Sequence, residues 1–425
     1  MSDETHKSFM RQALELARQG VALTSPNPCV GAVLVSPNGD VIGAGSHTYA
    51  GLKHAEILAV EDAARRGASV NGATLYVNLE PCSHQGRTGP CADALIAAGI
   101  RRVVGAMPDP NPLVSGQGFE RLLAAGIEVI ESILHEDAQK LNEAFARYIR
   151  TRTPLVTLKA AMTLDGKIAP PPGGEHSVPS PSGGWITSSA ARTHVQELRH
   201  ASDAIMVGVG TVIADDPLLT DRTGRPRRRP LLRVILDSRL RMPLASRVVK
   251  TSRDDVLVLC AFAEEKKRKA LESHGVRVEQ IALPHTPTPI HSSKVKRMPV
   301  RRRTGTGAPI RPAQVAGTSD GRPDLRKVMA RLGEMEITSV LVEGGALVNW
   351  TALAAGVVDK VFLYYAPKIL AGMGSVPFAS GEGFQRISDA AAVSRITIHH
   401  FGEDFAVEGY LRDPFQQATG TLTAL

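Results

Sequence analysis

A chain of 425 residues exceeds the length at which one hydrophobic core stops growing, so two domains are expected. The composition, 43% hydrophobic and 22% charged, is that of an ordinary globular protein, and no apolar run reaches the ~18 residues of a membrane span, so no membrane partner is expected. The net charge of +8 is unevenly divided: residues 1–150 hold 13 Lys and Arg against 16 Asp and Glu, net −3, which leaves +11 on the remainder. Four cysteines, at 29, 82, 91 and 260, are too few for a disulfide framework, and the acidic start Met-Ser-Asp-Glu lacks the regions of a secretory signal, so a cytoplasmic protein is expected.

In chain order, residues 5–19 carry apolar residues at helical spacing and stop at Gly20. Thr24-Ser-Pro-Asn27-Pro28 is turn chemistry, and residues 30–35 and 41–44, flanking Pro37-Asn38-Gly39-Asp40, read as a hairpin. His54 then opens a helix that ends near Gly67, a strand over 74–79 leads to Glu80-Pro81-Cys82, and Cys91 opens a helix ending at Gly99. Strands at 102–106 and 127–130 alternate with helices at 119–125 and 136–148, which indicates a sheet covered by helices.

His54, Cys82 and Cys91 are one imidazole and two thiols, a donor set suited to tetrahedral zinc with a fourth position left open for water. Glu56, two residues beyond His54 at a helix start, is placed to carry a proton without serving as a ligand. H-x-E followed by P-C-x-x-C is the signature of zinc deaminases; here eight residues separate the cysteines, so the intervening loop must bow outward before returning Cys91. Both the His54 and the Cys91 segments begin helices, whose N-termini favour carboxylate and thiolate charge. The chemistry implied is hydrolytic deamination.

A boundary falls near Thr151 to Pro154, giving domains over 1–150 and 154–425, each expected to own its core and its reaction. Strands are predicted at 155–161, 203–209, 231–237, 255–259 and 337–342, with helices at 188–201, 324–331 and 346–355. The basic run Arg225-Pro-Arg-Arg-Arg229 reads as a solvated loop, and residues 284–322, rich in Pro, Gly, Ser, Thr and base without periodicity, as a disordered or mobile insertion. Gly208-Val-Gly210-Thr211 and Glu343-Gly344-Gly345 each follow a strand and resemble phosphate cradles, the latter opening a helix. No Gly-x-Gly-x-x-Gly follows a first strand, so a Rossmann dinucleotide domain is not supported.

Pro26-Asn27-Pro28, His54-Ala-Glu56, Glu80-Pro81-Cys82 through Cys91, Pro108-Asp109-Pro-Asn111, Lys159-Ala-Ala161, Asp165-Gly166-Lys167, Gly184-Trp185, Ala214-Asp215-Asp216-Pro217, Leu236-Asp237-Ser238 and Val342-Glu343-Gly344-Gly345 resemble, in this order, the bifunctional deaminase/reductase family of riboflavin biosynthesis. The resemblance spans nearly the whole chain except the insertion and the last few residues. It implies an α/β protein with an N-terminal cytidine-deaminase-like three-layer domain and a C-terminal dihydrofolate-reductase-like domain. The implied reactions are zinc-dependent removal of the 2-amino group of a diaminopyrimidinone ribosylamino 5′-phosphate and NADPH-dependent reduction of its ribosyl chain to ribityl.

By the same resemblance, Asn27, His47, Asp109 and Asn111 line the pyrimidine pocket, and Ala161, Trp185, Thr211, Asp215, Ser238 and Gly345 contact NADPH. Arg199, Leu219, Arg222 and Glu343 contact the substrate, and Lys159 and Glu343 assist the reduction. A homo-oligomer is expected. Gly89 and Gly183 depart from the family pattern, as does the basic insertion. A deaminase acting on a polynucleotide needs aromatic stacking platforms, and with 4% aromatic residues, none inside the basic runs, no nucleic-acid partner is expected.

Overall fold

Gly31–Val35 is buried at every position, and the helices on either side of it approach as closely as they do because glycines face them. A Cβ at Gly31 would stand 2.1 Å from the Ala13 carbonyl oxygen, and one at Gly45 would stand 2.3 Å from that of Ala55. In this computed structural model, which describes residues 2–49, 53–84, 89–171, 184–281 and 321–416, those contacts put one helix on each face of a sheet.

The first half comprises α1 (Asp3–Arg18), β1 (Gly31–Val35), β2 (Val41–Ser46), α2 (Ala55–Arg65), β3 (Thr74–Val77), α3 (Cys91–Ala97), β4 (Arg102–Gly105), α4 (Gln117–Ala124), β5 (Glu128–Ile130) and α5 (His135–Thr151). Its sheet runs β2-β1-β3-β4-β5, antiparallel at the β2, β1 and β3 pairings and parallel thereafter. One apolar cluster, including Met10, Leu34, Leu75, Val103 and Leu122, fills it.

The second half comprises β6 (Leu155–Thr163), β7 (Lys167–Ala169), α6 (Ser189–Ala201), β8 (Ala204–Gly208), α7 (Val209–Asp215), β9 (Leu232–Leu236), α8 (Arg247–Lys250), β10 (Val256–Cys260), α9 (Glu265–Glu272) and β11 (Val276–Gln280). It continues with α10 (Leu325–Glu334), β12 (Ser339–Val342), α11 (Ala346–Ala354), β13 (Lys360–Ala366), β14 (Val376–Pro377), β15 (Ser394–Phe401) and β16 (Asp404–Tyr410). Among the described residues the main sheet has the order β11-β10-β9-β8-β12-β6-β13-β16-β15, parallel from β11 to β13 and antiparallel at its last two pairings. Strands such as Ala204–Gly208 and Val256–Cys260 are buried throughout, as parallel strands covered on both faces must be. Side chains alternate between two cores, Met206 and Val234 on one face, Ile205 and Ile235 on the other.

The predicted elements are found with ends displaced by a few residues, and the strands β13, β15 and β16 lie beyond the last helix that periodicity revealed. Two readings are corrected. Gly208 to Thr211 is no loop: Gly208 caps α7, and Gly210 and Thr211 lie in its first turn. The run 225–229 is a loop with Arg225 and Pro226 exposed, but it is not solvated throughout, because Arg227 donates to the carbonyls of Arg199, His200 and Ser202, and Arg229 to those of Met335 and Glu336. Those carbonyls lie at helix C-termini and turns, where a guanidinium satisfies acceptors the backbone leaves open. The segment 284–322 lies outside the described residues but for its last two, as does Gly183.

Candidate active site

Three separate segments bring the zinc donors together. His54 is the N-cap of α2, Cys91 the first residue of α3, and Cys82 follows β3. The His54 Nδ1 atom lies 3.1 Å from Cys91 Sγ and 3.5 Å from Cys82 Sγ, and the three donor atoms all lie within 4.8 Å of one another. Zn–N and Zn–S bonds of about 2.0 and 2.3 Å require tetrahedral edges near ~3.6 Å, so the residues present fit the metal. The chemistry agrees. The Cys82 thiol is held down at about 4, chiefly because Cys91 donates to it, while burial opposes and His54 and the Cys91 amide assist. Cys91 is pushed up as the donor of that same bond, and a bound cation would displace its proton.

Glu56 is 3% exposed beside this cluster. Burial raises its carboxyl above the ordinary value, with the His54 charge opposing, which suits a group that must take up and release a proton near neutrality. The neighbouring predicted residues are here too. His47 Nε2 pairs with Asn27 Nδ2 at 3.2 Å, His47 Nδ1 with the Lys53 carbonyl at 2.9 Å, and the His47 ring meets the His54 ring edge-on at 5.6 Å. Asp109, raised to about 6 by burial, accepts the Asn111 amide at 2.8 Å, and its carboxyl feels the charge of Cys82. A cleft of about 490 Å³ reaches His54 from the side of Lys53, Ile57 and Gly89; Asn27, His47 and Asp109 are not in its wall.

Sequence reasoning missed the supports of this pocket. The Glu80 carboxylate, buried, accepts the amides of Asp109, Gly116 and Gly118 at 2.8, 2.9 and 2.7 Å, and so folds the loop that carries Asp109 and Asn111. A Cβ at Gly118 would come within 2.0 Å of the Pro81 carbonyl, so only glycine lets that loop close. Asn78 and Asn142 both donate to the Cys29 carbonyl, and Asn142 also accepts the Cys29 amide, which anchors the loop after Asn27. A buried Asn at the end of an apolar strand was the available signal for Asn78.

In the second half, Glu343 lies just past the end of β12 and receives Arg199 in a two-pronged pair at 2.7 and 3.1 Å, with Lys159 Nζ at 3.4 Å. Burial would raise the Glu343 carboxyl, yet Lys159 and Arg199 hold it at about 2. Lys159 also faces the Tyr364 ring, and Arg199 donates to the Thr220 carbonyl beside Leu219, which takes a left-handed φ of 56°. Gly345 caps α11, and a Cβ on it would lie 3.8 Å from Thr211 Oγ1, so the N-termini of α7 and α11 converge. Ala161 pairs with Tyr364 in the sheet, and Asp215 closes α7. Trp185, 63% exposed, stacks with Arg192; Ser238 accepts the amides of Ala261 and Phe262; the Arg222 amide donates to Gln196. None of these last three touches the Glu343 cluster through a contact seen among the described residues. The cluster lies at the carboxyl ends of parallel strands, where open α/β sheets bind ligands.

A deaminase-type metal centre on one α/β sheet and an acid–base cluster at the strand ends of another define a two-reaction enzyme. Residues 3–107 match the cytidine and deoxycytidylate deaminase zinc-binding region, and residues 154–407 match the RibD C-terminal domain. The riboflavin biosynthesis protein RibD of Actinobacillus pleuropneumoniae is 37% identical over 96% of both chains, and that of Escherichia coli K12 is 36% identical over 93% of this chain and 96% of its own. Solved structures agree: RibD of Acinetobacter baumannii aligns at 32% identity with a TM-score of 0.73, and the deaminase/reductase of Thermotoga maritima at 33% and 0.72, each over 96% of this chain and 99% of the other. The chain belongs to the RibD family of riboflavin-biosynthesis proteins, bifunctional enzymes in which a zinc-dependent deaminase and an NADPH-dependent reductase share one polypeptide.

Proposed function

We propose that the N-terminal half, about residues 1–150, deaminates 2,5-diamino-6-(5-phosphoribosylamino)pyrimidin-4(3H)-one, and that the half from about 154 reduces the ribosyl chain of the resulting aminouracil to ribityl. The observation that carries this reading is the convergence of His54, Cys82 and Cys91 with the buried Glu56 beside them. Zinc held by those three residues supplies the Lewis acidity that makes water a nucleophile at neutral pH. Glu56 accepts the proton that water gives up as its oxygen bonds to C2, and returns it to the departing amine, so that ammonia leaves. Asn27, His47, Asp109 and Asn111 hold the pyrimidine against that point.

In the second reaction NADPH supplies the hydride. Ala161, Trp185, Thr211, Asp215, Ser238 and Gly345 hold the cofactor, and Arg199, Leu219, Arg222 and Glu343 the substrate. Lys159, whose Nζ lies 3.4 Å from Glu343, delivers the proton that must accompany the hydride. The engagement of the Arg227 and Arg229 guanidiniums with backbone carbonyls supports a small-molecule substrate over a polynucleotide. A cytoplasmic homo-oligomer completes the reading: the edge strand β15 exposes Ile396 and Ile398, apolar surface that a second copy would cover. Incubation with the diaminopyrimidinone phosphate, with and without NADPH, tests both steps by mass spectrometry. Loss of the amino group should need no NADPH, and the gain of two hydrogens should need it.

A further inference from the structure

We infer that the C-terminal half helps to build the deaminase pocket, with Ser25, Asp203, Arg228 and Arg229 acting as positioning residues for Asn27 and His47. This rests on the proposed assignment of Asn27 and His47 to the pyrimidine pocket. Two stitches cross between the halves, and each lands two residues from one of those side chains.

The first stitch lies before Asn27. Ser25 Oγ donates to Asp203 Oδ2 at 2.7 Å. Asp203, just ahead of β8 and 5% exposed, accepts on the same oxygen the Thr338 amide and hydroxyl, both at 2.8 Å, and faces Arg229 Nη2 at 3.1 Å. Arg229 in turn donates to Ser25 Oγ at 3.2 Å. A buried carboxylate with that many donors has a single favourable setting, so Ser25 is fixed by the second half and not by its own sheet. The second stitch lies after His47. The Arg228 guanidinium stacks on the Tyr49 ring at 4.1 Å, and the Arg228 amide donates to the Ala22 carbonyl at 2.9 Å, where Ala22 holds a left-handed φ of 63°. Asn27 and His47 are themselves joined at 3.2 Å, so the two stitches grip both ends of one hydrogen-bonded pair. The pair stands beside His54, whose ring His47 meets edge-on.

Ångström-scale displacement of a substrate-positioning group costs rate even when the reacting groups are untouched, so loss of either stitch should lower deaminase kcat/KM between about tenfold and ~10²-fold. The experiment uses the full-length, zinc-loaded protein carrying Ser25→Ala, Ser25→Thr, Arg228→Ala or Asn27→Ala. Zinc content, deaminase kcat and KM, and reductase rate on already deaminated substrate are measured for each. The expected result is a raised deaminase KM for Ser25→Ala and Arg228→Ala with zinc and reduction retained, and recovery in Ser25→Thr, which keeps the hydroxyl. If Asn27→Ala raises the KM while Ser25→Ala and Arg228→Ala stay within twofold of the parent, the positioning inference is overturned alone. If Asn27→Ala itself has no effect, the pocket assignment fails with it.

Discussion

Thr338 and Glu343 bracket a single strand: Thr338, just before β12, donates to Asp203 at the seam between the halves, and Glu343, just after it, receives Lys159 and Arg199. Five residue-to-residue steps of extended chain separate their Cα atoms by roughly 16 Å. The deaminase half therefore meets the amino end of this strand, while the Glu343 cluster stands at its carboxyl end.

The metal centre makes the most direct prediction. The protein should bind about one zinc per chain, since three soft donors and a water satisfy its tetrahedral preference. Elemental analysis of Cys82→Ser and of Cys91→Ser should show the metal lost together with ammonia release. Glu56→Gln should keep zinc and lose deamination by about 10²-fold to 10⁴-fold, the range for a missing acid–base group. Near-normal deamination in zinc-loaded Glu56→Gln would remove Glu56 from the mechanism.

Glu80 is expected to act on the fold of the pocket and not on the chemistry. Its carboxylate accepts the amides of Asp109, Gly116 and Gly118, and truncation would leave buried donors unsatisfied at about 1–3 kcal/mol each. Glu80→Ala should lower the unfolding midpoint in urea and raise the deaminase KM, because the loop bearing Asp109 and Asn111 loses its anchor. An unchanged midpoint would contradict the network's part in stability.

Acid stability should depend on Glu343. Its folded pKa of about 2 lies below the ordinary 4.5, so its contribution is complete above about pH 5 and is lost as pH falls through 4.5 toward 2. The size is on the order of 3 kcal/mol, from ~1.4 kcal/mol per unit. Glu343→Gln, which leaves Lys159 and Arg199 buried without their counter-charge, should be clearly less stable than the parent at pH 7, and the gap should narrow at pH 3. Urea titrations at the two pH values measure it; a gap that widens in acid would show that Glu343 is not held ionised by this pair.

The zinc donors were legible in the sequence because metal chemistry dictates residue type and order together, and three such residues with Glu56 leave little freedom. The longer helices and the parallel strands β6, β8, β9, β10 and β12 were legible from periodicity and apolar runs, whereas α8, α9, β11 and β13 were not. What stayed hidden depends on contacts between distant segments. Nothing in Arg225-Pro-Arg-Arg-Arg229 distinguishes a solvated run from one whose guanidiniums cap the carbonyls of α6 and reach Ser25, some two hundred residues upstream. Likewise Asp203, read only as a strand start, owes its role to Ser25 and Thr338, which the fold alone brings to it. The α7 helix was missed because glycine at its cap and in its first turn reads locally as a loop.

The last prediction concerns how far the two reactions depend on each other. The stitches near Ser25 and Tyr49 tie the deaminase pocket to the second half, but the first reaches only the amino end of β12, the second runs through Arg228, and neither touches Lys159 or Glu343. Changing the chemistry of one site should therefore spare the other. Glu56→Gln protein should still oxidise NADPH when given the already deaminated substrate, and Glu343→Ala protein should still release ammonia from the diamino substrate. Arg222→Ala should chiefly raise the reductase KM, because an arginine gripping the phosphate acts in the ground and transition states alike. Steady-state assays of the two half-reactions on each variant decide the matter. If Glu56→Gln abolished both reactions in protein that remained folded and zinc-loaded, the halves would have to share one composite site, contrary to the separation of the Thr338 seam from the Glu343 cluster along β12.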